Sequence, residues 1–215
     1  MERNVPGADQ AHLDDLDLLR SQPPTPDVEI ALGNYFLRHG LQDSALAHYD
    51  AALTLDPENV AALNTRGIVL GRMGRWDEAE KVFHRAIEIE PLYLPSYTNL
   101  GNLHFRREEF SKAITEYRLA SSIDTTDATN WFNLGLAYEK VGDLNPAILS
   151  YNKVIQLDPE NPKPHERLGW IYYGKKLYKG ARDQFRLALE LDPTRDDLRD
   201  NIFRLQEWAD STGTR

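Results

Sequence analysis

Five glycines stand in one register, 34 residues apart: Gly33, Gly67, Gly101, Gly135 and Gly169. Five alanines keep the same step, at Ala45, Ala79, Ala113, Ala147 and Ala181. At ordinary glycine usage one such series arises by chance on the order of a few times in a million trials, so two series establish an internal repeat. Four residues after each alanine comes an aromatic (Tyr49, Phe83, Tyr117, Tyr151, Phe185), and three further on a small residue (Ala52, Ala86, Ala120, Val154, Ala188). Proline closes four units, at Pro57, Pro91, Pro159 and Pro193, with Thr125 in the remaining one. A unit this short cannot bury an apolar face alone, so successive units must stack to share a core.

The spacing predicts a helical hairpin. Glycine and alanine fall where two antiparallel helices cross, their small side chains letting the backbones approach while the aromatic fills the neighbouring gap. Asp43, Asp77, Ser111 and Asn145 are expected to N-cap the second helices, since their side-chain oxygens can accept first-turn amides; Lys179 breaks the series. Asp77 with Glu80 reads as a capping box and Pro146 as a first helical residue. Gly40, Gly74 and Gly142 supply the left-handed residue that ends each first helix, a place Glu108 holds in the third unit. The closing prolines end the second helices. Thr125 and Glu108 make the third unit the expected weak point.

A 34-residue period carrying W-x2-L-G-x2-Y, A-x3-F and P in order resembles the tetratricopeptide repeat family. The fourth unit shows it as Trp131, Leu134, Gly135, Tyr138, Ala147, Tyr151 and Pro159, and the resemblance covers residues 26–195. Glu29 and His165 at the first aromatic position, Arg66 at the leucine position, and Leu70 and His104 at the second aromatic position depart from the pattern and are expected to cost single contacts. The resemblance implies an all-α, right-handed α-solenoid of five helix-turn-helix repeats at 26–59, 60–93, 94–127, 128–161 and 162–195. A capping helix and tail follow at 196–215, where Leu198, Ile202 and Leu205 share one face. Residues 1–25 read as a flexible segment with a short acidic helix, net −4 over residues 1–27, with Leu13, Leu16 and Leu19 sharing part of a face. That segment would cap the first repeat, occupy a groove in cis or in trans, or stay free.

A formal net charge of −9 argues against a nucleic-acid or anionic-membrane partner, which would feel the whole molecule's repulsion. Without cysteine there is no disulfide framework and no thiolate site. Residues 1–10 lack the regions of a signal peptide, and no run of about 18 apolar residues occurs, so the chain reads as soluble and cytoplasmic, with no membrane insertion. The run Gly169–Lys176 imitates a phosphate-binding loop, but lysine replaces the needed Ser or Thr and no strand precedes it. Six histidines (His12, His39, His48, His84, His104, His165) include no pair three or four apart to hold a metal on one helix face. Neither a catalytic set, a metal site nor a cofactor is expected.

The resemblance places the first helices along a concave groove, and on them Asn34, Arg38, Asn64, Arg72, Asn99, Asn102, Phe105, Arg106, Phe132, Asn133, Lys140, Lys163, Arg167, Trp170 and Tyr173 are expected to face a partner peptide or helix. Arg38, Arg72, Arg106 and Lys140 recur every 34 residues. Such a ladder attracts an acidic or carboxylate-ended peptide; a cation at a helix end also follows from the helix dipole alone. Asn102, Asn133, Lys163 and Arg167 are similar to the carboxylate clamp of co-chaperone repeat domains, with Thr98 where that clamp has its first lysine. An ordinary solvated groove is the competing reading. The expected function is a protein-binding scaffold with an adaptor, co-chaperone-like or assembly role. The alternative is a homo-oligomer in which the N-terminal segment docks into a neighbouring groove.

Overall fold

First helices of 13 residues and second helices of 14 alternate along the chain, joined by three-residue turns within a hairpin and four-residue turns between hairpins. In order they are α1 (Pro26–Arg38), α2 (Gln42–Leu55), α3 (Val60–Arg72), α4 (Trp76–Ile89), α5 (Leu94–Arg106), α6 (Phe110–Ile123), α7 (Ala128–Lys140), α8 (Leu144–Leu157), α9 (Pro162–Gly174) and α10 (Tyr178–Leu191), followed by α11 (Asp196–Thr212). The structure, a computed structural model, describes residues 16–212, with side chains through residue 206. His12, Leu13 and the rest of residues 1–15 lie outside the described residues. Among those described there is no strand, and no helix is long and apolar enough to cross a membrane.

Two compact units divide the chain between Leu103 and His104, inside α5. In the first, α1 packs on α2 and α3 on α4, around a core that includes Ala45, Tyr49, Ala79, Phe83, Leu100 and Leu103. Residues 16–20 are helical, and Leu16 is buried against Leu32 and Tyr35, so this stretch covers the first hairpin. In the second unit α7 packs on α8 and α9 on α10, while Leu198 and Leu205 of α11 seal Phe185 and Ala188. The face read on Leu198, Ile202 and Leu205 is the one that packs.

The glycine's role is more specific than helix approach. A Cβ at Gly33, Gly67, Gly135 or Gly169 would stand 2.5–2.6 Å from a ring carbon of Tyr49, Phe83, Tyr151 or Phe185, respectively. The aromatic edge fills the space that the missing side chain leaves, so the two series encode one contact. The five alanines of the 34-residue series, Ala45, Ala79, Ala113, Ala147 and Ala181, are fully buried.

The capping expectation is corrected. Asp43, Asp77, Ser111 and Asn145 are the second residues of their helices, two positions past the cap, and the residues that do precede those helices (Leu41, Arg75, Glu109, Asp143) make no side-chain cap. Asp77 and Glu80 therefore form no capping box, and Pro146 is the third helical residue. Capping belongs to the first helices. Thr25, Asn59, Asp127 and Asn161 accept the amides of Val28, Ala62, Thr129 and Lys163 at 2.8–3.3 Å, again at 34-residue spacing or its double.

The turns are as read at Gly40, Gly74 and Gly142, which have φ of +74° to +80°. Glu108 and Lys176 adopt the same left-handed conformation at φ +60° without being glycine. Thr125, by contrast, costs its turn nothing visible: α6 still ends at Ile123, and Asp124 Oδ1 accepts the Thr126 amide at 2.8 Å, as Asp56 and Asp192 do in the proline-bearing turns. The departures from the repeat pattern are also compensated. Glu29 accepts from His48 at 2.7 Å, His165 pairs with Gln184 and His104 with Glu109 at 2.8 Å, Arg66 pairs with Asp50, and Leu70 is buried core. The run Gly169–Gly174 is helical, within α9, and no strand leads into it.

Candidate peptide-binding surface

In the first unit the asparagines of the first helices are turned to internal use. Asn34 Oδ1 accepts the Tyr49 hydroxyl at 2.7 Å, and buried Asn64 accepts from Asn99 at 3.0 Å. Thr98 donates its hydroxyl to the Leu94 carbonyl, and Asn102 is half-buried. Burial raises the Tyr49 hydroxyl's pKa, a rise tempered by a hydrogen bond from Thr65 and by the charges of Arg72 and Arg38. Arg38 and Arg72 are exposed in the last turns of α1 and α3, where a cation also meets the helix dipole favourably.

In the second unit Arg106 and Lys140 occupy the same exposed last-turn position. Phe105 meets Phe110 edge-on at 5.3 Å, and Phe132 tilts onto Tyr151 at 5.5 Å, so both rings are half-buried packing groups. Asn133 is half-buried on α7. On α9, Lys163, Arg167 and Trp170 follow i, i+4, i+7 spacing along one stripe, with Tyr173 at its end. Lys163 is exposed, and Trp170 and Tyr173 are 40% and 47% exposed. Their rings sit 6.0 Å apart, edge-on, at the mouth of a cavity of about 400 Å³ that Tyr178, Phe185, Asn201, Arg204 and Leu205 complete.

Arg167 is not a bare cation. Its Nε donates to Glu139 Oε2 at 2.9 Å, its Nη2 donates to the same oxygen, and the Tyr151 hydroxyl donates there at 3.0 Å. Burial works against the guanidinium's charge, but the Glu139 hydrogen bond and charge outweigh it, and the net shift of Arg167 is upward. Burial, then the Glu139 charge, pushes the Tyr151 hydroxyl far up. Of the four clamp-like residues, Asn102 belongs to the first unit and Asn133, Lys163 and Arg167 to the second.

Glu139, Asn201 and Arg204 escape a reading of residue types alone. Glu139 left a trace: it is an acid in a register whose siblings include Phe105 and Tyr173, while Arg167 is a cation where Asn99 and Asn133 stand. Among the described residues no group of three or more His, Asp or Glu is placed to hold a metal ion.

Family models described as tetratricopeptide repeat match residues 30–89, 128–161 and 162–195, and one described as TPR repeat matches residues 101–142. The chain is 31% identical over 115 residues to anaphase-promoting complex subunit 3 of Schizosaccharomyces pombe, covering 54% of this chain and 17% of that protein. It is 27% identical over 138 residues to the Hsp70-Hsp90 organizing protein of Triticum aestivum, covering 64% of this chain and 24% of that one. It thus spans about a quarter or less of either curated relative. The crystal structure of MamA superposes with a TM-score of 0.71 at 27% identity, over 77% of this chain and 97% of that one.

Proposed function

The chain belongs to the tetratricopeptide repeat family, and we propose that it acts as a non-catalytic scaffold whose first helices in the second unit, α7 and α9, bind an acidic segment of a partner protein. Proteins of this family act as protein–protein interaction scaffolds, and the match to an organizing protein and to a subunit of a large complex supports an adaptor, co-chaperone-like or assembly role in the cytoplasm. The observation that carries the reading is the α9 stripe. Two cations and two part-exposed aromatics line one helix face of a chain whose net charge is −9, beside a cavity of about 400 Å³. A partner's carboxylate meets Lys163 first and reaches Arg167 only by competing with Glu139, while Trp170 and Tyr173 hold an apolar neighbour of that carboxylate.

Calorimetric titration with an acidic peptide, carrying a free or an amidated C-terminus, tests this against the Lys163→Ala, Arg167→Ala double variant. The free form should bind more tightly, and the variant should lose that preference. Equal binding of both forms to wild type would exclude a carboxylate site and leave the aromatic pair as the anchor. The alternative, self-assembly through the N-terminal segment, has weaker support because Leu16 is already buried against its own first hairpin.

A further inference from the structure

The second unit has another hollow, bounded by the second helices α6 and α8 with α7 between them, not by the α9 stripe. It measures about 550 Å³, and its walls include Ser121, Trp131, Leu134 and Leu149, with Arg118 and Lys153 at its edge. Its origin is visible in the repeat. At the register of Ser121 the sibling units carry Leu53, Ile87, Ile155 and Leu189, so serine removes an aliphatic group that would occupy part of this space. The Ser121 side chain is 3% exposed, and its hydroxyl has no hydrogen-bond partner.

Leu149 is 70% exposed over the hollow, where the siblings place Ala47, Lys81, Thr115 and Asp183. Arg118 and Lys153 form no ion pair or hydrogen bond among the described residues, in a chain whose 34 acidic residues outnumber its 25 lysines and arginines. An apolar hollow flanked by two unspent cations selects an acidic segment that carries an apolar side chain. We infer that this cleft is a second docking site, for an acidic partner segment that sets one large apolar side chain over Ser121 while its carboxylates meet Arg118 and Lys153.

The site goes beyond the α9 reading and is tested without it. Trp131 Nε1 donates to the Thr125 carbonyl at 3.1 Å, and both residues line the cleft, so the Trp131 indole N–H is a local reporter. Nitrogen-labelled full chain is titrated with a doubly capped hexapeptide of two central leucines flanked by aspartates, with a copy bearing lysines for the aspartates, and with a copy bearing serines for the leucines. Because the probes have no free carboxyl terminus, a failed clamp does not affect the outcome. The acidic leucine probe should move the Trp131 signal, and the two copies should bind at least tenfold more weakly.

Ser121→Ile, which restores the siblings' aliphatic residue, should abolish the shift while the melting temperature holds or rises. Arg118→Glu with Lys153→Glu, both at the cleft edge, should invert the preference toward the lysine copy. Lys163→Ala with Arg167→Ala should leave the shift unchanged. The inference is overturned by an unmoved Trp131 signal at millimolar probe, by a shift that survives Ser121→Ile or the charge reversal, or by a Trp131 signal that depends on protein concentration alone, which would assign the cleft to a second copy.

Discussion

Glu139 sets what Arg167 can offer a ligand. Its carboxylate already takes the guanidinium and the Tyr151 hydroxyl, at a site where side-chain exposure is 11% for the acid and 37% for the arginine. Glu139→Gln should therefore release Arg167 and tighten binding of a free-carboxyl acidic peptide by about tenfold, the scale of one charge-assisted hydrogen bond. Unchanged or weaker affinity in the titration would show that Glu139 positions Arg167 instead of competing for it. Glu109 makes a second residue-scale case. Its hydrogen bond from His104, with help from Lys112 and Arg107, holds its carboxyl below the ordinary range. A depressed native pKa stabilises above the unfolded value of about 4.3 and loses that contribution as pH falls through the native value. Urea melts from pH 7 to pH 3 should show wild type losing its advantage over Glu109→Gln on the acid side; a constant advantage would contradict this. At Gly135 a Cβ would sit 2.6 Å from the Tyr151 ring, so Gly135→Ala should cost about 1–3 kcal/mol by overpacking, outweighing the roughly 1 kcal/mol gained in helix propensity.

Four of the five hairpins have a side-chain cap at the start of the first helix, and all five have a left-handed residue in the turn that follows that helix. Asp127→Ala should cost about 1 kcal/mol in thermal melts, because Asp127 accepts the Thr129 and Asn130 amides, whereas Ser111→Ala, two positions into α6, should cost measurably less. Equal losses would return the cap to Ser111. Glu108 holds φ +60° where three siblings use glycine, so Glu108→Gly should stabilise by about 1 kcal/mol. Amides at 107–109 should exchange faster than those at 141–143 in the parent protein, and the reverse order would contradict strain at Glu108. The hairpins were legible in the sequence because one contact, ring against glycine, seen in four hairpins, writes two residue types at a fixed distance that recurs in all five units. The caps were misplaced because the first turn of a helix favours Asp through its charge, and Ser and Asn through oxygens that can accept free amides, as the cap position does, and residue type alone does not separate positions two apart. The compensations at Glu29, His104 and His165 were unreadable because each partner lies on another helix or past a turn. Lys163, Trp170 and Tyr173 could be chosen by type and register, but the pairing of Arg167 with Glu139 joins helices 28 residues apart and depends on side-chain direction.

For the molecule as a whole, the acidic balance and the local cations have one consistent reading. Net charge of −9 opposes the approach of nucleic acid and like-charged surfaces, while Lys163 on α9 is exposed beside two aromatics, which favours the stripe proposed above for an acidic segment. Affinity should then be salt-dependent but anchored by the rings, as for a buried aromatic contact rimmed by charge. The central claim is that this face, and not the fold at large, binds the partner. Peptides selected from a random display library on the wild-type chain give the direct measurement: their affinity for wild type, by calorimetry, against a Lys163→Glu, Trp170→Ala, Tyr173→Ala variant whose melting curve is recorded alongside. The account predicts acidic selected sequences carrying a large apolar residue, and at least a tenfold loss of affinity in a variant that still melts cooperatively; full affinity in that folded variant would contradict it.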